Sequence, residues 1–259
     1  MIRLAISNQR GGIGKTSTAL ALARCFADSG QKTLLIDTDT QGSIYITFDL
    51  ADRARGWLHQ LMLEGISVAE VATPLVDNLD VICSDRRTAR VESELNTLPA
   101  REMIFNSRLA GSNYDVVILD TAPAISNLHT CALAYARNVL CPVGMDTLSI
   151  EGVSSSLQTI RLLNQWQGMN CRCVGFLPTQ VDRRYSVTNV ILDGLKRESQ
   201  ENNVPILHAI RTDQAINKAS TAGQFLHDFD PKSKALEDYR TAYQELLNIL
   251  QVADGHQAA

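Results

Sequence analysis

Apolar positions along the chain follow two alternating rhythms. Short, nearly unbroken apolar runs occur at residues 2–6, 33–37, 79–83, 114–120, 138–143, 171–177 and 205–210. Runs of that length without a polar alternation predict strands buried on both faces, as in a parallel sheet. Between them lie longer stretches with apolar residues at helical spacing: 16–29, which ends at Gly30, then 149–166, 187–199 and 233–252. The last carries Leu236, Tyr239, Tyr243, Leu246, Leu247 and Leu250 on one stripe, the pattern of an amphipathic helix. Strand and helix in alternation predict an α/β fold, a doubly wound and mostly parallel sheet with helices on both faces. Residues 43–113 are the least regular; helical patterns at 57–63, 91–98 and 100–109 flank the 79–83 run. No linker-like Pro/Gly/Ser stretch divides the chain, so residues 1–259 read as a single domain.

Composition narrows this reading without naming a partner. With 259 residues, 45% of them hydrophobic, the chain can bury a large core. A formal charge of −4 excludes a polycation, so any nucleic-acid contact must come from a local patch. No stretch approaches the roughly 18 apolar residues of a membrane span, and a cytoplasmic protein is expected. The six cysteines show no C-x-x-C pair, lie mostly in apolar runs, and read as reduced core residues. Arg86, Arg87 and Arg90 read as a solvated face rather than a partner contact.

Candidate chemistry concentrates where three of the apolar runs end. The first stops at Asn8-Gln9-Arg10-Gly11-Gly12-Ile13-Gly14-Lys15-Thr16-Ser17. Glycines at 11, 12 and 14 can take positive φ and leave no Cβ in the way, so successive N–H groups can turn inward around a polyphosphate. Lys15 can neutralise phosphate charge, Thr16 can offer its hydroxyl to Mg²⁺, and the following helix directs its positive end at the same anion. The second run ends in Asp37-Thr38-Asp39-Thr40-Gln41, two carboxylates two residues apart; the bland alternative is a pair of turn or cap aspartates. The third ends in Asp120-Thr121-Ala122-Pro123.

Glycine at position 9 would complete the strict phosphate-loop pattern, and Gln9 stands there instead. Gly-Gly-x-Gly-Lys-Thr behind a basic residue resembles the deviant Walker A loop of the ParA/MinD family of ATPases. The Asp-x-Asp-x-Gln and Asp-Thr-x-Pro sequences follow in that family's order. The resemblance spans almost the whole chain, closest in kind to small ParA-type positioning ATPases. It implies that ATP with Mg²⁺ sits on Gly11, Gly12, Ile13, Gly14, Lys15, Thr16 and Ser17. Thr16, Asp37 and Asp120 would serve the metal, and Asp39 would orient the attacking water. Lys15 and Arg10 would stabilise the transferring phosphoryl group. Arg10 replaces the family's signature lysine, which reaches into a partner's site across a nucleotide-sandwich dimer.

Further along, Pro178 and Thr179 match the strand end that relatives place beside adenine, and Arg211, Thr212 and Asp213 match a loop that closes over the base. Lys218 stands where the family commonly has glutamate. Arg184 aligns with a DNA-contacting arginine. Lys196, Arg197 and Lys218 extend that patch, although Lys196 and Arg197 equally complement a helix dipole, and both readings stay open.

The resemblance implies an ATP-closed homodimer that binds DNA without sequence preference, on the nucleoid. It further implies a ParB-like or other adaptor that stimulates hydrolysis, and a plasmid, chromosomal origin or large assembly as cargo. The lack of a helix-turn-helix segment before the loop argues against the larger autorepressing members. A MinD-like membrane-surface switch is the alternative, disfavoured because residues 251–259 lack a basic amphipathic stripe, so no stable membrane association is expected. An energy-coupling ATPase for a metal or redox partner would call for a paired-cysteine site that the sequence does not show.

Overall fold

The computed structural model describes residues 1–257. Ala258 and Ala259, the end of the tail read above, lie outside the described residues. Seven strands form one sheet: β1 (Ile2–Ile6), β2 (Thr33–Asp37), β3 (Thr73–Val76), β4 (Leu79–Ile82), β5 (Val116–Asp120), β6 (Asn138–Val143) and β7 (Arg172–Pro178). Their order is β3-β4-β2-β5-β1-β6-β7, parallel throughout except for β3 against β4. β2 and β5 are buried at every position, which is why they read as unbroken apolar runs.

Helices cover both faces. Between β1 and β5 lie α1 (Lys15–Asp28), α2 (Ser43–Thr47), α3 (Val68–Val71), α4 (Thr88–Leu95) and α5 (Ile104–Arg108). After β5 come α6 (Asn127–Ala136), α7 (Thr147–Gln167) and α8 (Ser186–Asn202), and then α9 (Gln214–Thr221), α10 (Leu226–Phe229) and α11 (Lys234–Gln257). Alanines at 19, 21, 23 and 27 let α1 lie close on the sheet, while Leu22 and Phe26 fill the space between. Each such large side chain contributes about 1.5–3 kcal/mol when fully buried. α11 docks its apolar stripe on α1, where Phe26 and Tyr243 meet edge to face at 4.9 Å and the Ser29 and Tyr243 hydroxyls lie 3.1 Å apart. Leu247 is the stripe residue left partly exposed.

The irregular segment 43–113 resolves into short pieces. Where helices were expected over 57–63 and 100–109, a π-helical turn occupies Gln60–Glu64 and a 3-10 turn occupies Arg101–Met103. The sequence pattern did not predict β3, a four-residue strand with Pro74 in it and a register shift beside it; at the sheet edge a residue without an N–H is tolerated. Arg86, Arg87 and Arg90 are exposed, and Arg87 lies over the Trp57 ring at 4.9 Å. All six cysteines are free thiols, and five of them are buried.

One strand expectation needs correction. Residues 205–210 run beside β7 but pair with it only through an isolated bridge at Phe176 and Ile206. The next bond of a parallel ladder would come from the N–H of residue 178, and Pro178 has none. The chain slips instead, so that Ile210 N–H reaches the Pro178 carbonyl at 2.8 Å, while the His208 N–H turns away to the Glu245 carboxylate.

Candidate functional site

Strand register brings the predicted chemistry together. Ile6, the last residue of β1, is the partner of Asp120 across β1 and β5, and Asp120 is the partner of Asp37 across β5 and β2. The loop therefore opens at the carboxyl edge of the sheet, between β5 and β6, where the chain order reverses and ligands of open α/β sheets bind.

The loop is shaped to surround something. Gly12 and Gly14 hold φ of 76° and 83°, and a Cβ built on Gly11, Gly12 or Gly14 would meet nothing within 4 Å. Gly11 and Gly12 are exposed, whereas Ile13 is buried and anchors the loop from below. Lys15 curls back over the loop, its Nζ donating to the Arg10 carbonyl at 2.7 Å. Burial lowers its pKa, against the attraction of Asp120 and Asp39. Thr16 and Ser17 follow on the first turn of α1, whose free N–H groups face the loop.

Asp37 and Asp120 are buried, and burial raises both carboxyls, Asp120 to about 7 and Asp37 well above the usual range. In Asp120 the Thr16 hydroxyl and the Lys15 ammonium work the other way, favouring the ionised form. Asp37 accepts the N–H groups of Asp39 at 2.9 Å and Ile44 at 3.3 Å, whereas Asp120 Oδ1 is buried with no partner. Two buried carboxyls and one orphaned oxygen beside a threonine hydroxyl suit a hard divalent cation. Asp39 is half-buried and accepts the Gln41 N–H at 2.9 Å, so its turn-capping and its chemical readings coexist.

Residues that the sequence reading did not single out hold the loop in place. Asn8 donates to the Pro142 carbonyl at 2.7 Å and accepts the Arg10 N–H at 3.1 Å. A Cβ at Gly152 would lie 2.1 Å from Asn8 Oδ1, and one at Gly144 would lie 2.8 Å from Ile13 Cγ2. Both glycines are required by close approach, a cue that becomes visible only once β6 and α7 are placed against the loop. Arg10 Nε lies 3.5 Å from Asp146 Oδ1, the residue that caps α7.

On the other side, Thr179 donates to the Ile13 carbonyl at 2.8 Å and Gln180 to that of Gly12 at 2.9 Å. Beside them a cleft of about 320 Å³ is lined by Gly14, Ser17, Thr179, Arg211, Thr212 and Asp213, which joins most of the residues expected around a base. Pro178 stands behind this wall, its carbonyl engaged by Ile210. Arg211 is tied to the buried carboxylate of Asp238 by contacts of 2.6 and 2.7 Å, and Asp213 caps α9. The expected DNA residues do not form one cluster with this cleft. Arg184 pairs with Asp182 just before α8, Lys196 with Asp193 on α8, Arg197 is exposed on α8, and Lys218 is exposed on α9.

The AAA domain family (AAA_31) matches residues 1–171, two thirds of the chain. The chromosome-partitioning ATPase Soj of Thermus thermophilus is 30% identical, with 97% of each chain covered. Among solved structures, apo McdA of Cyanothece shares the fold with a TM-score of 0.84 at 21% identity, over 95% of this chain and 99% of that one. The cobyrinic acid a,c-diamide synthase of Mycobacterium smegmatis, solved with bound ADP and magnesium, gives a TM-score of 0.80 at 26% identity, covering 98% and 97%. With that family model over two thirds of its length, and Soj and ParA relatives 27–30% identical over most of it, the chain belongs to the ParA/MinD family of deviant Walker A ATPases, among its ParA-type partition proteins.

Proposed function

We propose that this chain is a partition ATPase that closes as a homodimer on Mg·ATP, binds DNA without sequence preference in that state, and is released when an adaptor protein stimulates hydrolysis. The observation that carries the nucleotide part is the orphaned Asp120 Oδ1 in register with Asp37, beneath a loop that leaves open space above three glycines. ATP and Mg²⁺ fit that arrangement. Backbone N–H groups of Gly11 to Ser17 hold the phosphates; Thr16, Asp37 and Asp120 serve the metal, which when bound neutralises charge on the phosphate oxygens. Asp39 positions water, Lys15 and Arg10 stabilise the phosphoryl group in transfer, and Thr179, Thr212 and Asp213 wall the base.

DNA contact through Arg184, Lys196, Arg197 and Lys218 rests on the family and on their exposure. Arg184 and Lys196 each have a carboxylate beside them that must be displaced or shared. Partition of a plasmid, chromosomal origin or protein assembly follows from the Soj and ParA relatives. Among the described residues no helix is long and apolar enough to cross a membrane. The deciding experiment measures binding to a non-specific duplex in ATP, in ADP and without nucleotide, across salt. Tight, ATP-only binding that weakens steeply with salt supports the proposal; salt-independent or nucleotide-independent binding, or none, overturns its DNA arm.

A further inference from the structure

At the end of the sheet opposite the nucleotide loop, the start of β1, the β6 and β7 starts and the C-terminal ends of α6 and α7 enclose a cleft of about 770 Å³. Its lining is unusual for a chain of net negative charge: three arginines, Arg3, Arg137 and Arg172, and four asparagines, with no carboxylate among the described residues. Elsewhere Arg24, Arg87, Arg184 and Arg211 each stand against an aspartate, yet none of the three cleft arginines has an ion-pair partner among the described residues.

Two of these cations, Arg3 and Arg172, are held by their side chains, and the third, Arg137, is fixed through its backbone. Arg3 lies over the Tyr135 ring at 4.6 Å and donates to Asn106 Oδ1 at 3.1 Å. Asn138 joins two of them, donating to the Arg3 carbonyl at 3.0 Å and accepting from Arg172 Nε at 2.8 Å. Arg137 ends α6 with φ of 60° and ψ of −30°, a conformation that costs a non-glycine residue about 1–3 kcal/mol and is found preferentially at ligand clamps. Its carbonyl accepts the Arg172 N–H at 2.7 Å, so the backbones of two arginines are locked side by side. Three such cations brought together gain nothing from one another. They repel, and the carbonyl ends of α6 and α7 offset only part of that repulsion.

We propose that this cleft binds a small phosphorylated ligand, its phosphate held by the guanidinium forks of Arg137 and Arg172 with Arg3 behind them, and its polar body held by the asparagine amides. Planar forks suit a phosphate bidentately, and the volume lies in the range of small-molecule sites. A concave, largely polar cleft fits a sugar phosphate or mononucleotide better than a convex duplex.

The test is site-resolved modification of arginine by phenylglyoxal on the nucleotide-free protein, read residue by residue by mass spectrometry. Ribose 5-phosphate and inorganic phosphate are the probes, with a short DNA duplex as a separate arm. Both phosphate probes should slow modification of Arg3, Arg137 and Arg172 at least fivefold while leaving Arg53 unchanged. In the Arg137→Gln/Arg172→Gln variant, protection of Arg3 should disappear. Equal slowing at all arginines, or none at these three, overturns the proposal. Protection by duplex alone overturns it too, making the surface a nucleic-acid contact.

Discussion

Asp120 is a residue whose proposed role opposes the stability of the fold. Burial raises its carboxyl to about 7 against 3.8 in an unfolded chain, so the folded state holds the proton more tightly, and the free protein loses stability as pH rises from about 4 through 7. Asp120→Asn, which mimics the protonated form, should raise the melting temperature of the ligand-free chain at pH 8, by about 2–4 °C for each kcal/mol recovered. The gain should vanish near pH 4, and Mg²⁺-dependent nucleotide binding should be lost at every pH. Scanning calorimetry with and without Mg·ATP checks both. In the proposed mechanism Lys15 and Asp39 divide the work differently. Lys15→Ala should abolish nucleotide binding, whereas Asp39→Ala should keep ATP affinity within about threefold and reduce turnover at least a hundredfold. Equilibrium nucleotide binding and phosphate release, measured on both variants, would expose an equal loss of affinity. These residues were legible because strand, loop and carboxylate stand together in the sequence. Asn8 and Asp146 were not, since their roles come from contacts more than a hundred residues away.

At the scale of elements, the same limit explains what the pattern missed. β2 and β5 were readable because burial on both faces erases polar alternation. The 205–210 run looked alike in composition but failed as a strand because of a proline on its neighbour, a feature of the partner rather than of the run itself. Gly152 shows the matching constraint in a helix. Its α7 backbone lies so close to the loop that a Cβ would sit 2.1 Å from Asn8 Oδ1 and 3.4 Å from Arg10 Cβ. Gly152→Ala should therefore leave α7 folded, since alanine is the better helix former, but push the loop out of shape. ATP affinity should fall at least tenfold while the far-ultraviolet circular dichroism spectrum is kept. Gly194→Ala, on α8, is the control. Its Cβ would meet only Ile150 side-chain carbons at 3.9 Å and beyond, and binding should not change.

Across the whole molecule, buried titratable groups pull stability in opposite directions. His129, against the Ser7 hydroxyl at 2.8 Å, and His227, beside Cys25, are both pushed down to about 4 by burial. Unfolded, each would take up a proton near 6.5, so their contribution is full above that value and is lost as pH falls toward 4, while Asp37 and Asp120 gain over the same window. Replacing His227 by leucine should flatten the acid side of a denaturation profile by up to about 1.4 kcal/mol per pH unit, read from urea midpoints between pH 6.5 and 4.5. None of this was visible in the sequence, where a histidine carries no sign of its burial. The tight seating of Asn8 against Gly152 has a genetic corollary. Loss of partition activity by Gly152→Ala should be suppressed from position 8, by a shorter side chain such as serine that still accepts the Arg10 N–H. Two codons 144 apart should thus behave in a revertant screen as a single locus.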